Sequence, residues 1–294
     1  MNKIGLLIIY NHRYDKNISR LEDIYKGRFS NVFHIVPFYD GSQENVIPVY
    51  ESSYYFSGYL SQAYTHLKDK EITHFFVVAD DMIINPKLNE NTLWQEMGIS
   101  VDDCYLDGFL VLQERKIFWP HLYEAMDYVV QKEGVEVSNI LPSKKEAEEC
   151  FDSFGISHAP ISKKLFMTWM SQAKNWKARK KIWRYMKKRN LDYPLVGGYS
   201  DICLITASVM EKFALYCGAF AATDLFVELA IPTSMVLSAK SIKVNRDIKL
   251  SFGAMWTDED KKFLEEYNLN LTELVENFPS DKLYLHPIKL SQWK

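Results

Sequence analysis

Cysteine is scarce and unpatterned: Cys104, Cys150, Cys203 and Cys217 stand far apart, with no CxxC spacing. That excludes a zinc ribbon and a dense disulfide scaffold, and it predicts reduced thiols in a cytoplasmic protein. Long apolar runs are also missing. Nothing approaches the roughly 18 uninterrupted apolar residues of a spanning helix. The opening run over residues 4–10, soon followed by Arg13 and Asp15, is too short for a signal-peptide core with its cleavage site. Charge of one sign is lacking as well. The formal net charge is -3, which excludes the global basic field behind nonspecific nucleic-acid binding. There is no internal repeat and no low-complexity linker. What the chain does have is apolar side chains, 47% of its 294 residues, with 14% aromatic. Such a composition buries a large core, and one catalytic unit over residues 1–294 is expected.

Ile4-Gly5-Leu6-Leu7-Ile8-Ile9-Tyr10 is a continuous rather than alternating apolar run, which predicts a strand buried on both faces. Leu21, Ile24 and Tyr25 recur at helical spacing in 19–25, and residues 31–37 read as a second strand. A βαβ opening of this kind predicts a parallel sheet. An aromatic-rich helix follows over 54–67, then a strand over 72–79, a return to the sheet over 104–112 and a helix over 123–130. Residues 134–164 are polar, acidic and irregular, and a helical segment covers 165–189. Gly197-Gly198 turns the chain into a strand reaching residue 205. One helix over 209–218 is expected to end at its glycine, and another beginning at Asp224 to stop before Pro232. The tail carries an acidic helix over 258–266.

In an open parallel sheet, ligands bind beyond the carboxyl ends of the strands, and the strand over 72–79 runs straight into Asp80-Asp81. A hard cation such as Mg²⁺ or Mn²⁺ takes one or two protein carboxylates and completes its shell with water and substrate phosphate. Consecutive residues at a strand end point in different directions. One aspartate can therefore bind the metal while its neighbour takes a ribose hydroxyl or orients the site. The same pair reads equally as turn or cap aspartates, since Asn85-Pro86 follows closely.

The segment Phe75-Phe76-Val77-Val78-Ala79-Asp80-Asp81-Met82-Ile83-Ile84 resembles the DxD-type segment of GT-A glycosyltransferases, an apolar strand followed by acidic residues and another apolar run. The resemblance implies a single α/β domain with a mixed, mostly parallel central sheet flanked by helices. Residues 1–112 would form the nucleotide-binding half, and 113–294 the acceptor-binding half with a tail closing the site. It implies a UDP-sugar held through Mn²⁺ or Mg²⁺, with Asp81 as metal ligand and Asp80 as sugar or ribose contact. Ala79 departs from the pattern, standing where a first acidic residue is often found. Ile8-Ile9-Tyr10-Asn11-His12-Arg13 is similar to the family's opening, which implies Tyr10 stacked on uracil and Asn11 or Arg13 bonded to base or phosphate. Leu285-His286-Pro287-Ile288-Lys289-Leu290-Ser291 resembles its C-terminal segment, in which His286 would complete the metal shell and Lys289 reach the diphosphate.

Glycosyl transfer needs the departing diphosphate neutralised and, in an inverting enzyme, a carboxylate base on the acceptor hydroxyl. Asp224 and Glu228 are four apart, so on a helix they share one face, and Phe220, Phe226 and Leu229 make their neighbourhood apolar. Asp201 follows Gly197 and Gly198, which would let a ligand approach the backbone. Each of these acids also reads as a solvated helix or turn residue. The resemblance implies an acceptor contact or base at Asp224 first and Glu228 second, and a donor-sugar or acceptor contact at Asp201.

The function so implied is transfer of a hexose or N-acetylhexosamine from a UDP-sugar to a glycan or lipid-linked acceptor, as in bacterial surface polysaccharide assembly. It would take place in the cytoplasm or at the inner face of the membrane, with no nucleic-acid partner. The alternatives are a sugar-nucleotide-binding protein with a decayed site and a nucleotidyltransferase on a related fold. The latter would carry a glycine-rich basic loop where Asn11-His12-Arg13-Tyr14 stands. The one basic concentration, over 174–189, reads in two ways. It is either a solvated helix with its aromatic stripe on the core or a helix contacting anionic membrane lipid or a phosphate-linked acceptor.

Overall fold

In the computed structural model, which describes residues 3–137 and 139–294, a central sheet separates two hydrophobic cores. The strands are β1 (Ile4–Ile9), β2 (Asn31–Pro37), β3 (Val46–Val49), β4 (His74–Ala79), β5 (Ile83–Ile84), β6 (Cys104–Leu106), β7 (Ile202–Thr206), β8 (Ile242–Lys243) and β9 (Tyr284–Leu285). Seven of them form the main sheet in the order β3-β2-β1-β4-β7-β6-β8, while β5 and β9 make a separate antiparallel pair. β3, β2, β1 and β4 are parallel. β7 runs antiparallel to both its neighbours, and β8 is parallel to β6. The fold is thus α/β with a mixed, mostly parallel sheet, as expected, and β7 from the second half of the chain is seated between β4 and β6.

Because side chains alternate along a strand, the continuous apolar run of β1 serves both faces. Ile4, Leu6, Ile8 and Tyr10 join Phe76, Val78 and Leu204 in one core; Leu7 and Ile9 join Phe75, Val77, Cys203 and Ile205 in the other. The first core is closed by α1 (Lys16–Tyr25) and α3 (Leu93–Met97), with residues of the C-terminal segment. The second is closed by α2 (Ser57–Leu67), α4 (Leu122–Asp127), α5 (Lys144–Ser153), α6 (Lys163–Gln172), α7 (Trp176–Lys188), α8 (Ala207–Ala222) and α9 (Val227–Ser238). α10 (Asp258–Glu265) and α11 (Leu271–Glu276) complete the tail. Among the described residues no helix is long and apolar enough to cross a membrane.

Several boundaries differ from the expectation, each for a local reason. The irregular stretch over 134–164 holds α5, opened by a reciprocal capping box between Ser143 and Glu146. The helical segment over 165–189 is two helices, α7 restarting where the Asn175 side chain accepts from the Ala178 amide. The strand over 104–112 ends at Leu106. α8 runs through Gly218 to Ala222. A Cβ on Gly218 would fall 2.4 Å from Ser61 Oγ, so this glycine lets α2 and α8 approach rather than ending a helix. Pro232 lies inside α9. A proline deprives the carbonyl four residues earlier of its partner, and here that carbonyl, Glu228 O, accepts from the Gly198 amide at 2.9 Å instead.

Candidate functional site

β1 and β4 are parallel neighbours, but the chain leaves β1 toward β2 and β3 on one side, while β7 and β6 lie beyond β4 on the other. This reversal is the switch point at which open sheets leave a crevice. Asn11 follows β1 there and Asp80-Asp81 follow β4, tied across the gap by the Asp80 amide, which donates to Ile9 O at 2.9 Å. Ala79 belongs to the β4 ladder and is buried among the first core's apolar residues. An acid at that position would be desolvated, which accounts for its apolar identity.

The two aspartates have separate environments. Asp80 is 4% exposed, and its Oδ2 accepts from Asn17 Nδ2 at 3.2 Å. Burial, reinforced by the Asp81 charge, pushes its pKa up to about 7. Asp81 stands at the mouth. The short β5–β9 ladder returns the C-terminal segment to it, so that His286 Nε2 lies 2.8 Å from Asp81 Oδ1 and the Ile288 amide donates to Asp81 O at 2.6 Å. The carboxylate oxygen is close enough for an ion pair but is not aligned for a hydrogen bond. It is shielded from water with no other partner. On the opposite side of the ring, Tyr199 Oη is 2.5 Å from His286 Nδ1. Burial acts to lower the His286 pKa, but Asp81, then Asp201 and Asp80, outweigh it and raise it. Lys289 is exposed three residues further on.

A carboxylate oxygen whose one partner is an imidazole nitrogen is an O and N donor pair that Mn²⁺ accepts, whereas Mg²⁺ prefers oxygen alone. Among the described residues no three His, Cys, Asp or Glu side chains converge on one point. A metal at Asp81 and His286 would therefore complete its shell with water and substrate oxygen.

Tyr199 joins this pair to a cleft of about 460 Å³, whose walls include Asp107, Arg115, Trp119, Tyr199, Glu228 and Trp256. Glu228 reaches a pKa of about 7 through burial and then the Asp201 charge, with Arg115 opposing. Burial also raises Asp201, against the pull of His286; Asp201 is thus electrostatically coupled both to His286 and to Glu228. Tyr199 stacks on Tyr284 with ring centroids 6.1 Å apart. The hydroxyls of Tyr284 and Tyr105 donate to Asp107 at 3.2 and 3.1 Å, holding that carboxylate in the cleft wall. A Cβ on Gly198 would sit 2.5 Å from the Gly108 carbonyl oxygen. This glycine permits contact between two loops in the wall of the cleft, and Gly108 and Gly198 both line it. A neighbouring cleft of about 510 Å³ shares Trp256, but its acids are engaged in local structure: Asp260 accepts from the Thr257 amide in the capping box of α10, and Asp281 accepts from the Ser251 hydroxyl.

Three expected site residues sit elsewhere. Tyr10 is fully buried, its hydroxyl 2.8 Å from His34 Nδ1. It lies on the Ile4, Leu6 and Ile8 face of β1, so no side of its ring is open to a base. Among the exposed aromatics that follow the parallel strands, Phe38, just after β2, and Tyr50, just after β3, meet edge to face at 5.8 Å. Phe38 is 60% exposed and holds a φ of 54°, a left-handed conformation costly for an aromatic residue. Asp224 precedes α9 instead of beginning it, has a φ of 58° and pairs with Lys132. It faces a different cleft with Tyr123 and Lys181, so it shares no helix face with Glu228. Arg13 is exposed and pairs with Asp15 at 3.1 Å and with Asp40. Such surface pairs are weak and leave the guanidinium available to a stronger anion.

The structure therefore brings Asp81, His286, Tyr199, Asp201 and Glu228 into one connected arrangement with Asp80 behind it. Tyr199 follows the glycine pair and carried a signal in that position. Arg115 and Trp119 lie in a segment without periodicity and carried none. No family model matches the chain, and neither a curated protein nor a solved structure matches it significantly.

Proposed function

We propose that this chain is a metal-dependent glycosyltransferase of GT-A type that moves a hexose or N-acetylhexosamine from a UDP-sugar to a glycan or lipid-linked acceptor. One observation carries the reading: Asp81 and His286, far apart in sequence, meet at 2.8 Å beyond the carboxyl end of β4. Asp81 Oδ1 and His286 Nε2 would hold Mn²⁺ or Mg²⁺, which when bound neutralises the diphosphate leaving group. Tyr199 at Nδ1 fixes the imidazole orientation, the role that outer partners of ligating histidines play. Lys289 offers a point charge to the diphosphate. Asp80, tied to Asn17, braces the turn from behind and does not meet the ribose.

The uracil would lie against Phe38 rather than Tyr10. Strands are about 4.8 Å apart and rise about 3.3 Å per residue, so Phe38 is on the order of 10–15 Å from the end of β4, the scale of a nucleoside diphosphate. The acceptor would enter the cleft, with Trp119 and Trp256 offering apolar faces to a sugar ring. There the acceptor oxygen bonds to the anomeric carbon as its proton passes to Glu228, and the bond from that carbon to the diphosphate oxygen breaks. A carboxylate poised near neutrality suits this transfer. Isothermal titration with UDP tests the site: binding should depend on Mn²⁺ and be lost in Asp81→Ala. Binding that ignores the metal, or that survives this substitution, would overturn the reading.

A further inference from the structure

α7 carries two tryptophans on its solvent side. The residues it buries are Ile182 and Tyr185, so the expected aromatic stripe on the core holds for Tyr185 alone. Trp176 is 66% exposed and Trp183 48%. Seven residues apart, they fall on one line along the helix, opposite the buried stripe. Lys180 lies between them, and Lys187 Nζ sits 3.8 Å over the Trp183 ring. A shallow groove of about 450 Å³ runs along this line, bounded by both indoles and by Lys177, Lys180 and Lys187. The helix has no acidic residue. Lys181 and Arg184, lower on the flank, pair with Asp127 at 3.6 and 3.2 Å. Lys177, Lys180 and Lys187 form no ion pair with the described residues.

Leaving two indoles in water forgoes the stabilisation of burying them, and α7 needs neither for its own packing. A surface that is anionic on top and apolar one layer down satisfies both kinds of side chain at once. Indoles seat at the boundary between headgroups and acyl chains, and lysine stems lie along apolar surface while their ammonium groups reach phosphate. Single-stranded nucleic acid also offers charge and stacking, but it follows a continuous basic track. Here the basic stretch ends with α7 in a chain of formal charge -3.

We propose that α7 lies flat on an anionic lipid bilayer, with Trp176 and Trp183 inserted at the interface and Lys177, Lys180 and Lys187 against lipid phosphates. The contact stands whether or not Asp81 and His286 take a metal.

Cosedimentation of the full chain with vesicles tests this. Binding is expected to vesicles of phosphatidylcholine containing phosphatidylglycerol, and not to phosphatidylcholine alone. Raising the salt should weaken it, because surface charges are screened. Reversing Lys177, Lys180 and Lys187 to Glu should weaken binding by roughly a hundredfold or more, as three cations near an anionic surface imply. Trp176→Ala with Trp183→Ala should weaken binding by about tenfold or more and remove most of the quenching of tryptophan emission by brominated lipid. All five side chains face water, and a thermal melt checks that the variants keep their fold. Equal binding to neutral vesicles, unchanged binding by either variant, or preference for single-stranded RNA over anionic vesicles would each overturn the proposal.

Discussion

His286 Nε2 stands 2.8 Å from Asp81 Oδ1, across a ladder only two residues long. The ladder does not require this pair, since Ile83 with Leu285 and Ile84 with Tyr284 already close it. His286→Ala should still fold, at some cost in stability because Asp81 Oδ1 and the Tyr199 hydroxyl lose their partner, and should lose at least about tenfold in Mn²⁺-dependent UDP affinity. Titration in EDTA should show no difference between the variant and the parent chain. Equal affinities in Mn²⁺ would remove His286 from the site.

Tyr199 holds the same ring from its other nitrogen, at 2.5 Å. Tyr199→Phe keeps the stacking on Tyr284 and deletes only the hydroxyl. Metal affinity is expected to fall about tenfold, with the melting temperature nearly unchanged. A loss of stability without a loss of metal affinity would reduce Tyr199 to packing.

Glu228 links stability to activity in opposite senses. Its folded pKa, about 7, lies above the ordinary glutamate value of 4.5. Between those values the folded chain keeps a proton that the unfolded chain has released, so stability is greatest below about 4.5 and declines as pH rises through 7. Glu228→Gln removes that cost. Denaturant melts should show the variant more stable by about 1–3 kcal/mol at pH 8 and equal to the parent at pH 4. Its turnover should fall by about a hundredfold or more. In the parent chain, activity should decline below pH 7 as the base is protonated.

In the proposed site Phe38 takes the base-stacking role expected of Tyr10. Phe38→Ala should weaken UDP binding several-fold with little effect on stability, the ring being exposed. Tyr10→Phe should leave UDP affinity alone and destabilise the chain by about 1–3 kcal/mol, the cost of stranding a buried partner, here His34 Nδ1. The opposite pattern in calorimetry and melting would restore Tyr10 to the site.

Where a residue's role follows from its own neighbourhood in sequence, it was legible. The run from Phe75 into Asp80-Asp81 could only be a buried strand ending in acids, and β1 with β2 could only be parallel. That Tyr10 closes the inward row of β1 follows from the period of two, but which face that row takes was set by packing on α1, α3 and the C-terminal segment together. Asp224 was misplaced because four-residue spacing has meaning only inside a helix, and α9 begins three residues later. The cleft was hidden for a different reason. Arg115, Trp119 and Trp256 come from loops that converge through packing alone, which no periodicity records.

Gly198 is the sharpest case of such convergence, because its hydrogen lies where the β6 and β7 loops touch. The would-be Cβ meets a backbone oxygen, Gly108 O, at 2.5 Å, and a carbonyl cannot rotate aside as a side chain does. The amide is also committed, since it donates to Glu228 O, the acceptor that Pro232 leaves free. Any shift of the loop therefore strains α9 at the residue that lines the cleft. Gly198→Ala should cost about 1–3 kcal/mol, the usual range for overpacking. It should also lower turnover, and with it Mn²⁺-dependent UDP affinity, since the next residue, Tyr199, holds the His286 ring. A variant that melts with the parent chain and turns over at the same rate would show that the two loops can part without disturbing Glu228.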